Sequence, residues 1–199
     1  MKDLWYRRNL PHWQPLAATF FVTTRLYGSI PMSVLKQLRA EKEEWLAAAK
    51  GNPDEIYKVH RKCFGRFDDA LDNNRNAPYY LQQPEIAKIV ADGLHYQDSD
   101  TYKLWTYTIM SNHIHLLITT KETNEIYLKT IMQRLKRHTA REANKVLGRT
   151  GNPFWEEESY DHIVRSEAEF YRIENYILKN PVKAKLVERA EDWAWSYRA

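Results

Sequence analysis

The run Leu104–Thr120, LWTYTIMSNHIHLLITT, constrains the fold more than any other stretch of the chain. It is rich in β-branched and aromatic residues, and Ser111-Asn112 interrupts it with a pair suited to a tight turn. It therefore reads as two strands, near 102–110 and 113–120. Side chains on a strand alternate between faces, so His113 and His115 point the same way. Leu116, Leu117 and Ile118 follow them directly, which makes the second strand a buried one. Two readings are open. The imidazoles form a two-histidine metal site, or they are core histidines, each with its own hydrogen-bond partner.

The remaining elements place that pair. Ala17–Leu26, AATFFVTTRL, reads as a strand ended by Gly28 and Pro31. Apolar residues at helical spacing over 32–49 predict a helix broken by Gly51-Asn52-Pro53, and a second helix follows over 54–71. A third spans 84–96, with Ile86, Ile89, Val90 and Leu94 inward. The strongest helical stripe lies in 125–147, through Leu128, Ile131, Met132, Leu135, Thr139, Ala143 and Val146. A short strand is expected near 160–164. Ser166 and Glu169 then form a capping box opening a last helix, expected to end near Asn180 because Pro181 disfavours helix at the residue before it. This order predicts an α+β protein with a ferredoxin-like, split βαβ antiparallel sheet and helices on one or both faces. One domain is expected over 1–199, with a helical insertion at about 32–97 between the first and second strands.

The chain has 199 residues, enough for a sizeable core, and 43% of them are hydrophobic. Its one cysteine, Cys63, excludes an intramolecular disulfide and fits a reducing compartment. The first residues lack the apolar core of a secretion signal, and no apolar run approaches the roughly 20 residues that span a bilayer. A soluble cytoplasmic protein is the expectation. The net charge is +4, yet residues 121–150 hold eight Lys or Arg against three Glu, a local balance of +5. The positive charge is thus concentrated on one helix, at Lys129, Lys136, Arg137, Arg141 and Lys145. It reads as a solvated face or as a phosphate-binding one. Near the N-terminus Arg7, Arg8 and Trp13 mix cations with an aromatic ring, suited to unpaired bases or to covering a sheet edge.

The last helix supplies partners for the histidines. Tyr176 and Asn180 are four residues apart and share a face. Most helix tyrosines only pack, but a carboxamide oxygen can complete a hard-cation site begun by two imidazoles. Lys179 and Lys183 lie at this helix end, where cations are favourable in any protein. His162 has two readings, a contact to metal, phosphate or tyrosine, or a structural hydrogen bond. Arg165 binds DNA or caps the local turn.

The segments RRNLPHWQP, ATFFVTTRL, WTYTIMSNHIHLLI, NPFWEEESYDHIVRSEAEFYRIENYILKNPVKAKLVE and DWAWS, in this order, carry a resemblance. The chain resembles the HUH endonuclease superfamily, and within it the REP-associated tyrosine transposases, relatives of the single-tyrosine insertion-sequence transposases. The likeness covers nearly the full length apart from about 40–75. It implies that His113 and His115 are metal ligands, Asn180 a third ligand, and Tyr176 the nucleophile. It implies a Mg²⁺- or Mn²⁺-dependent nuclease and strand transferase, working through a 5′-phosphotyrosine on single-stranded and hairpin DNA such as repetitive extragenic palindromes. Monomeric and homodimeric relatives both exist, and a nucleoid-associated location follows from such a substrate. The competing reading is a non-cleaving, structure-specific DNA-binding protein derived from a transposase.

Overall fold

A computed structural model describes the chain apart from residues 1–3, 8–10, 75, 97, 99 and 123–125; of 4–7 and 11–13 it describes the backbone alone. The described residues form two compact units, Gly28–Pro78 and the remainder of the chain.

The larger unit opens with an antiparallel hairpin, β1 (Leu4–Arg7) and β2 (Pro11–Gln14). Its sheet comprises β3 (Thr19–Arg25), β4 (Tyr102–Ile109), β5 (His113–Thr120), β6 (Tyr160–Ile163) and β7 (Ser196–Arg198). The spatial order is β6-β3-β5-β4-β7, antiparallel throughout. The helices of this unit are α3 (Pro84–Tyr96), α4 (Leu128–Val146) and α5 (Glu167–Lys183). In chain order β3-α3-β4-β5-α4-β6 is a doubled split βαβ, with each helix carrying the chain to a strand two places away. The expected ferredoxin-like sheet is therefore present, with α5 and β7 added after it.

Alternation divides the sheet. Phe20 and Val22 of β3, Tyr107 and Ile109 of β4, and Ile114, Leu116 and Ile118 of β5 pack with Ile86, Val90 and Leu94 of α3 and Leu128, Ile131 and Leu135 of α4. The intervening residues face α5, where the Tyr176 and Phe170 rings meet His115 and Trp105. An irregularity between Leu104 and Thr106 lets Trp105 reach Thr119, its indole N–H donating to Oγ1 at 2.7 Å.

The smaller unit is a pair of helices, α1 (Met32–Ala48) and α2 (Pro53–Asn73). Lys50 and Gly51 turn the chain between them at φ of 48° and 78°, the left-handed region that glycine tolerates best. Asn52 caps α2 by accepting from the Asp54 and Glu55 amides. Arg66 bridges to Glu41 at 3.0 Å, and Lys62 lies over the Trp45 ring. Asp68 and Leu71 are the buried residues of α2.

Two expectations need adjustment. The insertion was expected to run to about 97, but the compact unit is Gly28–Pro78. Its third expected helix, α3, is the first crossover helix of the sheet, because the Ile86, Val90 and Leu94 stripe is absorbed by the main core. The last helix was expected to stop near Asn180 and runs to Lys183 with Pro181 inside it. A proline this close to the end forfeits one amide bond, while the ladder resumes through the Ala184 amide to the Asn180 carbonyl at 2.9 Å.

Candidate metal and tyrosine site

His113 and His115 lie at the head of β5, between β3 and β4, and are 1% and 0% exposed. Their Nε2 atoms converge to 3.1 Å. The Nδ1 atoms are held from behind. Asn112 Oδ1 lies 2.7 Å from His113 Nδ1; an amide oxygen only accepts, so this nitrogen carries a proton, and in the neutral ring Nε2 keeps its lone pair. Thr23 Oγ1, cross-strand from His115, lies 2.7 Å from its Nδ1 and can accept or donate. Two arrangements are consistent with these contacts. With no cation, His115 Nε2–H donates to His113 and the Thr23 hydroxyl donates to Nδ1. With a cation, His115 takes the other tautomer and both Nε2 lone pairs point inward. A cation about 2.1 Å from two nitrogens at right angles holds them roughly 3 Å apart, so the donor pair fits a metal ion.

α5 lays its tyrosine on this pair. Ser166 Oγ accepts the Glu169 amide, which is half of the expected capping box. The Glu169 carboxylate takes the Arg165 amide at 2.9 Å and His162 Nε2 at 3.0 Å, with Arg172 at 3.1 Å. These bonds tie the start of α5 to the end of β6. Two turns on, the Tyr176 ring is 5.6 Å from the His115 ring and 6.0 Å, edge-on, from Phe21, which itself stacks on His115 at 5.7 Å. Asn180 is buried, and its Nδ2 donates to the Tyr176 hydroxyl at 3.2 Å. A carboxamide ligates through oxygen, so this bond is compatible with a ligand role.

The structure thus brings His113, His115, Tyr176 and Asn180 together within one chain. His162 is on the same sheet face, across from Phe21, and is engaged by Glu169. Arg165, Lys179 and Lys183 are exposed. On α4, Lys136 Nζ donates to the Glu156 and Glu157 carbonyls, and Arg141 and Lys145 flank Glu142. Part of the helix's charge is therefore engaged within the chain. The Lys129 amide donates to Gln14 Oε1, which caps α4 from β2, while Arg137 is exposed. Arg8 lies outside the described residues, as do the side chains of Arg7 and Trp13. A cleft lined by Gln14, Lys129, Lys136 and Asp161 holds about 50 Å³, room for little more than water.

Sequence reasoning missed two positions. Thr23 and Arg25 occupy β3 across from His115 and His113. Arg25 is 8% exposed, with Nη1 3.2 Å from Glu156 Oε1. Burial pulls its pKa down, and the nearby Glu156 charge and hydrogen bond oppose that pull. The available signal was that Thr23 and Arg25 lie two places apart in a strand and so share a face.

Residues 83–180, which contain His113, His115, Tyr176 and Asn180, match the family described as "Transposase IS200 like". That match likens this region to transposases, a class of DNA-processing enzymes. The particular likeness is to the REP-associated tyrosine transposases. A curated Haemophilus influenzae (strain ATCC 51907 / DSM 11121 / KW20 / Rd) protein of that name is 30% identical over 95 residues, which cover 44% of this chain and 54% of the relative. The chain thus matches about half the length of that protein. In fold, the chain matches a solved structure titled "Structure of the REP associates tyrosine transposase bound to a REP hairpin" with a TM-score of 0.56 and 15% identity, over 96% of this chain and 80% of the other. Among the described residues, no helix is long and apolar enough to cross a membrane.

Proposed function

We propose that the chain is a metal-dependent endonuclease and strand transferase for single-stranded and hairpin DNA of the REP type. The observation that carries this reading is the Tyr176 ring set 5.6 Å from His115, whose Nε2 meets that of His113 at 3.1 Å. Phosphodiesters are anionic and resist attack, so the site must place a nucleophile and offset charge together. A divalent cation, Mg²⁺ or Mn²⁺, bound by His113 and His115 with Asn180 would supply Lewis acidity to the phosphate. Tyr176 Oη attacks phosphorus in line. One P–O bond forms to tyrosine, the bond to the 3′ oxygen breaks, and the phenol proton is balanced by the proton gained at the 3′-OH. The energy of the broken ester is kept in the 5′-phosphotyrosine, so a 3′-OH can return and rejoin strands.

Asn180 orients the phenol through its Nδ2 bond. Asn112 and Thr23 hold the imidazoles in the plane that aims both Nε2 atoms inward. Lys179, Lys183, Arg165 and the cations of α4 offer phosphate contacts; exposed ion pairs such as Arg141–Glu142 are weak enough to yield to DNA. His162 supports the site by fixing the entry of α5.

The test is incubation with labelled hairpin DNA bearing unpaired flanks, with and without Mn²⁺, followed by denaturing electrophoresis. A metal-dependent protein–DNA adduct that Tyr176→Phe abolishes is expected. Tight binding with no adduct would replace this reading with the non-cleaving DNA-binding one. Cleavage that persists in Tyr176→Phe would make the site a metallohydrolase in which the tyrosine only packs.

A further inference from the structure

We propose that Phe21 is a positioning residue of this site, a ring that aligns the Tyr176 phenol with the His115 imidazole for attack on phosphorus. The inference rests on the nuclease reading above and extends it to a residue that brings no reactive group of its own.

Phe21 lies in β3, a strand with a neighbour on each side, and is cross-strand from Leu117 of β5 and His162 of β6. Phe20, next to it in sequence, belongs to the core with α3 and α4. Alternation therefore turns Phe21 to the opposite face, toward α5, where it is 4% exposed. Its ring stacks on His115, with centroids 5.7 Å apart and planes at 29°. Tyr176 meets the same ring edge-on, at 6.0 Å and 86°. Tyr160 of β6 braces it at 6.2 Å and 68°.

These contacts join a nucleophile and a metal ligand carried by different elements. Tyr176 comes from α5 and His115 from β5, and their rings are 5.6 Å apart. Asn180 bonds the Tyr176 hydroxyl, and Thr23 bonds His115 Nδ1. Such bonds fix single atoms and let a ring turn about them. Phe21 restrains the ring planes. An aromatic ring has a negative face and a positive edge, so stacked and edge-on partners take preferred angles; an aliphatic side chain of similar bulk imposes none. In-line attack depends on how the phenol oxygen approaches phosphorus, and a misplacement of about 1 Å costs about 100-fold in rate. An interior strand of the sheet is a rigid place from which to set both planes.

The experiment compares Phe21→Leu with Phe20→Leu, the same substitution one residue away on the other face. Each removes a buried ring, so both should lower the urea midpoint. Single-turnover cleavage of REP-type hairpin DNA is measured at saturating DNA and Mn²⁺, where circular dichroism shows each variant folded. Phe21→Leu is expected to cleave about 10–100-fold more slowly, with hairpin affinity and Mn²⁺ affinity retained. Phe20→Leu should cleave at the wild-type rate. Phe21→Met should share the loss of Phe21→Leu, and it guards against a Leu variant that folds poorly. A second readout needs no cleavage: 3-fluorotyrosine is placed at position 176 and followed by fluorine NMR. One narrow resonance is expected in the wild type and in Phe20→Leu, and a broadened or split one in Phe21→Leu, where the ring takes more than one setting. Equal loss of rate in Phe20→Leu and Phe21→Leu would overturn the proposal in favour of a packing role. Undiminished cleavage by Phe21→Leu, or an unchanged fluorine resonance, would overturn it as well. A wild type that forms no adduct would instead overturn the nuclease reading, and the fluorine spectra would then decide alone whether Phe21 sets the Tyr176 ring.

Discussion

The two faces of the five-stranded sheet are made by the same strands and differ at alternate residues. Toward α3 and α4, β5 presents Ile114, Leu116 and Ile118. Toward α5 it presents His113, His115 and Thr119, with Leu117 between them, and its neighbours add Thr23, Arg25, Thr106 and Thr108. Both faces are buried. Burial of apolar groups needs no directional partner and tolerates repacking. Burial of imidazoles, hydroxyls and a guanidinium is stable only when each polar atom meets another at hydrogen-bond distance. The first face therefore sets how stable the protein is, and the second sets where a few atoms sit. That division fits a candidate site that lies on a covered sheet face and not on a loop.

The sharpest break between the faces should come from Tyr176→Phe. It removes one oxygen from the α5 face, and the expected result is complete loss of covalent adduct in the denaturing gel with an unchanged melting temperature. His115→Ala should follow, with loss of Mn²⁺ binding measured by calorimetry and a fall in cleavage beyond the roughly 10–100-fold typical of losing a supporting bond. Ile118→Ala, on the opposite face, should invert the pattern. It should cost about 2–4 kcal/mol in urea denaturation while the folded fraction keeps its Mn²⁺ affinity. If Ile118→Ala instead weakened metal binding while sparing stability, the division between faces would be wrong. Thr23→Val should cost about 1–3 kcal/mol in stability and weaken Mn²⁺ binding about 10-fold, by removing the hydroxyl behind the buried His115 Nδ1. The smallest effect is expected from Ser166→Ala, a loss of about 1 kcal/mol from the α5 cap, read by thermal melting.

Much of this arrangement is legible in the residues. Runs of β-branched and aromatic residues located β3, β4 and β5, and a 3.6-residue stripe located α4, because each pattern follows from how the element is buried. Tyr176 and Asn180 could be placed together from their spacing alone, and their hydrogen bond follows from it. What local pattern does not carry is pairing. The stripe of α3 says that it packs, not that it packs on the sheet; that depends on the β3-to-β4 crossover. The helix end near Pro181 was misjudged because a local preference was weighed without the packing of Ile177 and Asn180 that holds the last turn. Arg25 escaped notice because its meaning comes from His113, 88 residues away in sequence and adjacent only through the ladder. The charge of α4 looked fully available in sequence, yet Lys136 is engaged by two backbone carbonyls.

The position of β5 also governs how long the histidine pair keeps its shape. The strand has a neighbour on each side, whereas β6 and β7 form the borders of the sheet. Local fluctuations open border strands first, and an interior strand is released only when the whole domain unfolds. Amides of β5 should accordingly be the last to exchange with deuterated water, minutes to days after those of β6 and β7. The imidazoles would then be aligned throughout the life of the folded molecule, and any movement that admits DNA would have to come from elements at the borders.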